Sequence, residues 1–122
     1  MTLLYVALGG AAGALARFAL GGWVTRWASP GFPWATFAVN LAGSLLLGWL
    51  LRVLPGHPAE PGLRALLAVG FCGAFTTFST FGWETAELLR RGAPGTAAAY
   101  AGGSVTLSVL GVFAGAWLAA RP

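Results

Sequence analysis

The sequence predicts an all-α membrane protein: four transmembrane helices per chain, the third broken, assembled as an antiparallel, dual-topology homodimer. Three observations lead there. Of the 122 residues, 57% are hydrophobic and only 8% are charged, against about a quarter charged in soluble domains, and the mean hydropathy is +0.77. Four uncharged runs are each long enough to cross a bilayer, which takes roughly 20 apolar residues. Short arginines flank them in equal numbers on both sides.

The first span covers about 3–23 and is interrupted only by Arg17. No basic region precedes it and no small-residue cleavage site leads into a polar domain, so it is expected to stay in the mature protein. The link Ser29-Pro30-Gly31-Phe32-Pro33 then ends the helix, since proline and glycine punctuate helical patterns. The second span runs over about 34–51. It is followed by the most polar stretch in the chain, Pro55-Gly56-His57-Pro58-Ala59-Glu60-Pro61-Gly62. The third span covers about 63–89 and the fourth about 96–120, with Arg90-Arg91-Gly92-Ala93-Pro94-Gly95 between them. A single four-span domain over 1–122 leaves no room for a soluble one.

Loop arginines normally orient such a chain. Here Arg52, Arg64 and Arg121 fall on one side and Arg26, Arg90 and Arg91 on the other. A balanced tally predicts insertion both ways, and hence pairing of the chain with an inverted copy. Four helices also enclose too little to seal a conduction path alone. The scattered arginines form no basic stripe, which excludes nucleic acid as a partner. One cysteine, Cys72, and one histidine, His57, exclude an internal disulfide and a thiol or imidazole metal centre.

The third span carries the functional signal: Gly70-Phe71-Cys72-Gly73-Ala74-Phe75-Thr76-Thr77-Phe78-Ser79-Thr80-Phe81-Gly82. Ser and Thr compete for backbone hydrogen bonds and favour caps over helix interiors. The cluster therefore predicts an unwound break near 76–80, although hydroxyls can also bond back to the preceding turn and leave the helix intact. Non-helical backbone at this depth survives only when buried in protein or lining a wet cavity. A break frees carbonyls from the half before it, which suit a cation, and amides from the half after it, which suit an anion. On a continuous helix Phe71, Phe75, Phe78 and Phe81 would form one stripe. Such a stripe is usually packing, but ring edges are electropositive and could stabilise a small anion.

These residues resemble the Fluc (CrcB) fluoride channels over essentially the whole chain. The likeness rests on Gly9-Gly10-Ala11-Ala12-Gly13-Ala14-Leu15-Ala16-Arg17, on Thr36-Phe37-Ala38-Val39-Asn40-Leu41-Ala42-Gly43-Ser44, and on the Thr-Thr-Phe-Ser-Thr-Phe core ending at Phe81. The resemblance implies a passive fluoride channel of the inner (plasma) membrane, multi-pass, dimeric in antiparallel fashion with two pathways, that lowers fluoride toxicity. It implies pore roles for Asn40, Phe78 and Phe81, and a polar track of Tyr100, Ser104 and Ser108, which by spacing alone would read as a helix-contact seam. It further implies a structural sodium ion at the dimer interface, held by backbone carbonyls of Gly73 and Thr76. Glu84 matches an acidic residue near the vestibule, and Arg17 a structural or vestibule arginine. Thr77 joins the pore as a hydroxyl donor, because fluoride gives up its water only to other donors.

Two other readings compete. A small dual-topology proton-coupled drug antiporter would need a membrane-embedded carboxylate, and the first span has none. A structural subunit packing through Gly and Ala faces would have no use for Asn40 and four clustered hydroxyls. An enzyme is the weakest reading, since no nucleophile, base and orienting group occur together. Fluoride, membrane lipid and a second copy of the chain are the expected partners.

Overall fold

The computed structural model describes residues 1–121. It contains four helical spans long and apolar enough to cross a membrane: a first helix Thr2–Trp27, a second Trp34–Val53, a third span over 60–90, and a fourth helix Pro94–Ala119. The third span is two half-helices. Its first half runs through Glu60–Leu63, Arg64–Cys72 and Gly73–Phe75, and its second is Phe78–Arg90.

Helix ends fall where the breakers stand. Gly31, Gly56 and Gly92 take the left-handed backbone, at φ of 102°, 84° and 75°, and all three lie in the links. That conformation is open to glycine and strained for residues with a Cβ. The first helix continues to Trp27, past the expected end near residue 23, and the third span starts at Glu60, ahead of 63. Loop prolines and arginines bound the apolar runs, whereas hydrogen bonding continues into the interface.

Glycine sets the packing. The first helix lies against the first half of the third span, where a Cβ on Gly9 would collide with the Leu66 carbonyl and one on Gly13 with the Phe71 carbonyl. The second and fourth helices meet in the same way, with Gly48 on the Val112 carbonyl and Gly115 on the Leu45 carbonyl. Small residues let membrane helices approach to backbone contact, where dispersion and interhelical contacts replace the hydrophobic effect. Leu50, Leu54 and Cys72 are buried between the two pairs, with Leu46, Leu47, Leu63, Leu67 and Phe71 around them.

Arg64–Cys72 is π-helical, which the apolar pattern did not reveal. Gly70 sits inside this stretch, where a Cβ would press on the Val6 carbonyl and crowd the Gly10 amide. Such widened turns are uncommon and cluster at functional sites. The break itself is narrower than the expected 76–80. Only Thr76 (φ −86°, ψ 162°) and Thr77 (φ −151°, ψ 118°) are extended, and Ser79 and Thr80 already belong to the next helix. The Thr77 hydroxyl restarts that helix by accepting the Thr80 N–H at 3.2 Å, a side-chain cap of the usual kind.

The break also divides the phenylalanines. Phe71 and Phe75 stack at 5.6 Å in the first half, while Phe78 and Phe81 pair at 5.5 Å in the second. They form two pairs rather than one stripe. Leu3, Leu15, Phe18, Phe113 and Trp117 are among many large apolar side chains left exposed, and for a spanning bundle lipid or another copy covers such surface.

Candidate functional site

A cavity of about 320 Å³ opens beside the break. Asn40 and Ser44 line it from the second helix, Gly73, Thr76, Thr77, Phe78 and Phe81 from the third span, and Ser104 and Ser108 from the fourth. Glycine contacts hold the second helix to the fourth and the first half of the third span to the first helix.

Asn40 is fully engaged with the break. Its Oδ1 accepts the Thr77 N–H at 2.8 Å and its Nδ2 donates to the Thr77 carbonyl at 3.1 Å. A primary amide presents one acceptor and two donors, so one Nδ2 hydrogen is not used by Thr77, and Asn40 borders the cavity. Gly43, one turn on, admits Thr76: a Cβ there would collide with the Thr76 methyl group. Thr76 turns its hydroxyl back onto the Cys72 carbonyl at 2.9 Å, and its own N–H takes the same acceptor at 3.0 Å. The carbonyls of Gly73 and Thr76 have no hydrogen-bond partner among the described residues.

The hydroxyls of Thr77, Ser79 and Thr80 cluster, Thr77 Oγ1 lying 3.1 Å from Thr80 Oγ1 and 3.4 Å from Ser79 Oγ. Ser104 Oγ is buried with no hydrogen-bond partner among the described residues. A buried hydroxyl left unpaired is costly, and this one borders the cavity. Phe78 is 82% exposed on the single chain, whereas Phe81 is held between Phe78 and Tyr100, whose ring centre is 5.2 Å away.

Tyr100 does not line this cavity. It is fully buried, packs edge-on against Phe32 at 5.4 Å and donates its O–H to Glu84 at 2.6 Å. Thr36 donates to the other oxygen of Glu84 at 2.9 Å. Glu84 is thus a bracket joining the second, third and fourth helices, one helical turn beyond Phe81. Arg17 is half-buried in the first helix and forms no ion pair among the described residues. The structure brings Asn40, Thr76, Thr77, Phe78, Phe81, Ser104 and Ser108 to one cavity with Gly73, and sets Tyr100, Glu84 and Arg17 apart from it.

Sequence reasoning assigned nothing to Thr36 or Ser44. The signal was present: Thr36, Asn40, Gly43 and Ser44 recur at three- and four-residue spacing, so they share a helix face.

A family model described as "CrcB-like protein, Camphor Resistance (CrcB)" matches residues 4–116. The chain is 46% identical over 116 residues to a protein of Acidobacterium capsulatum named fluoride-specific ion channel FluC, covering 94% of this chain and 93% of the relative. Proteins of the same name from Novosphingobium aromaticivorans and Thermus thermophilus are 50% identical over 113 residues and 47% over 112. Those alignments cover 91% and 92% of this chain, and 90% and 88% of the relatives.

Proposed function

The chain belongs to the CrcB-like family, and from that membership we propose that it is a fluoride-selective channel that lets the anion leave the cell passively. It is a multi-pass protein of the plasma membrane and not an enzyme. The observation that carries the reading is the two-residue break at Thr76 and Thr77, which places unwound backbone, hydroxyls and phenyl rings around one cavity.

Fluoride holds its hydration shell tightly, so a selective path must supply donors in sequence. The spare Nδ2 hydrogen of Asn40, the unpaired Ser104 hydroxyl and Ser108 are such donors, and the edges of Phe78 and Phe81 add positive potential without offering a cation an acceptor. The Thr77 hydroxyl, expected from the sequence to be a donor to fluoride, instead gives its hydrogen to Thr80 Oγ1 and accepts the Thr80 N–H, so its part is to cap the helix after the break. Tyr100 and Glu84 serve by holding Phe81 and the helix after the break in place. Nothing in the fold or the comparisons favours a drug antiporter. Conduction without coupling suffices for detoxification, because hydrogen fluoride enters uncharged, dissociates inside, and leaves as the anion under a negative-inside potential.

The functional unit is a pair of chains in opposite orientations. Its support is the even arginine count and Phe78, which a single chain leaves largely uncovered. A structural sodium ion belongs to the same reading, held by the carbonyls of Gly73 and Thr76 from both subunits. Its support is that both carbonyls lack partners and that a Cβ on Gly73 would meet nothing within 4 Å, which leaves the approach open. Neutral oxygens suit a hard cation, and this ion would crosslink the two breaks.

Fluoride efflux from liposomes carrying the purified protein, followed by electrode under a potassium and valinomycin shunt, tests the function. Rapid fluoride release with chloride retained is the expected result. Equal chloride release, or no release from folded protein, would overturn it.

A further inference from the structure

We infer that Asn40 is a positioning residue for the cation site: by capturing the Thr77 N–H it keeps the Gly73 carbonyl free. The inference rests on the sodium reading above and deepens it.

In an uninterrupted α-helix the N–H of residue 77 closes onto the carbonyl of residue 73. Here that N–H goes to Asn40 Oδ1 at 2.8 Å, and the Gly73 carbonyl is left without a partner among the described residues. The neighbouring carbonyl is treated in the opposite way. Cys72 accepts both the N–H and the hydroxyl of Thr76, so the last closed turn ends one residue before Gly73. The selection between a closed acceptor at 72 and an open one at 73 is therefore made by side chains.

The amide is matched to this task. Oδ1 takes the N–H of Thr77 while Nδ2 donates to its carbonyl at 3.1 Å, so a single side chain replaces both of the partners that this residue loses by leaving the helix. Asn40 can hold that place because its own helix is pinned to the fourth by Gly48 and Gly115, and because Gly43 seats Thr76 beside it. Asn40 borders the anion path through its spare hydrogen and governs the cation site through Thr77. One side chain thereby links the two ions without touching the cation.

The test compares sodium binding by Asn40→Ala and Asn40→Asp in the purified protein. Binding is read as the sodium concentration that half-maximally raises thermal stability against N-methylglucamine, and as sodium content by atomic emission. Aspartate retains the acceptor for Thr77 N–H and alanine does not. Loss of a buried acceptor predicts a shift of about tenfold or more in the sodium midpoint for Asn40→Ala, and less than about threefold for Asn40→Asp. A second measurement separates this role from packing. Replacing Thr77 by its α-hydroxy analogue swaps the peptide N–H for an ester oxygen, so nothing remains to reclaim the Gly73 carbonyl. The ester also makes the Thr76 carbonyl a weaker ligand, so the comparison is made between ester proteins: with the ester in place, Asn40→Ala should bind sodium as well as the ester protein that keeps Asn40.

An Asn40→Ala protein that binds sodium as tightly as the wild type overturns the inference. So does an ester background in which Asn40→Ala still weakens sodium binding as much as it does in the all-amide protein. A wild type indifferent to sodium overturns the cation reading itself, and this inference with it.

Discussion

Phe81 has the most constrained ring in the site, lying between Phe78 and the buried Tyr100. Phe81→Ala is expected to lower fluoride flux about tenfold, the effect of losing about 1.4 kcal/mol of ion stabilisation from a positioned ring edge. Liposome efflux measures it, and unchanged flux in both Phe81→Ala and Phe78→Ala would remove the rings from the pathway. The bracket on Glu84 makes a different prediction. Tyr100→Phe keeps the ring and removes one of the two hydrogen bonds to the carboxylate, a change that costs about 1.5–3 kcal/mol when the acceptor is charged. It is read as a drop in thermal stability. Paired with Thr36→Val it should show coupling, because both hydroxyls serve one group. The residues around the cavity were legible in the sequence because hydroxyls and an asparagine in mid-membrane have few other uses. The separation of Tyr100 from Ser104 and Ser108 was not legible: four-residue spacing puts them on one face, but the Glu84 carboxylate takes Tyr100 for itself.

At the scale of helices, backbone contact through glycine holds the cavity walls. Gly48→Ala and Gly115→Ala each drive a methyl group into a carbonyl of the facing helix, so each is expected to cost about 1–3 kcal/mol, the usual price of overpacking. Gly22→Ala is the control, since a Cβ there meets nothing within 4 Å and alanine is the better helix former by about 1 kcal/mol. Thermal denaturation in detergent checks all three, and equal losses would refute the glycine contacts. The break was expected from clustered hydroxyls, yet its length depended on which hydroxyl capped what. Thr77 turned out to be the cap, so the helix resumed one residue later and took Ser79 and Thr80 with it. The π-helical stretch had no signature because its setting is tertiary, with Gly70 pressed against Val6 and Gly10 of another helix.

For the whole molecule, the proposed pairing of inverted copies rests on the arginine count and on the exposed apolar side chains. If three arginines against three leave orientation undecided, adding three lysines after Ala120 should commit nearly all chains to one direction. Flux should then fall sharply in cells making this variant alone. It should return when a chain biased the other way, by lysines placed after Arg26, is made beside it. Labelling of cysteines engineered into the 28–33 and 92–95 loops reads the orientation, and full flux from chains locked in one direction would rule out inverted pairing. Four spans, their order and the balance of charges were all legible, because bilayer thickness and loop charge act on sequence directly. Which helices pair was not, since it depends on where glycines meet a neighbour's carbonyl.

The acceptors that the break exposes are main-chain atoms. The main-chain carbonyl is common to every codon, so mutation at Gly73 or Thr76 can crowd or tilt that group but cannot exchange it for another kind of ligand. A site built from such carbonyls would be inherited indirectly, through residues on a different helix: Asn40, which bonds both main-chain groups of Thr77, and Gly43, which leaves room for Thr76. If the proposed cation site is right, a substitution at the break itself keeps the same chemistry there, while a single change 37 residues upstream removes it.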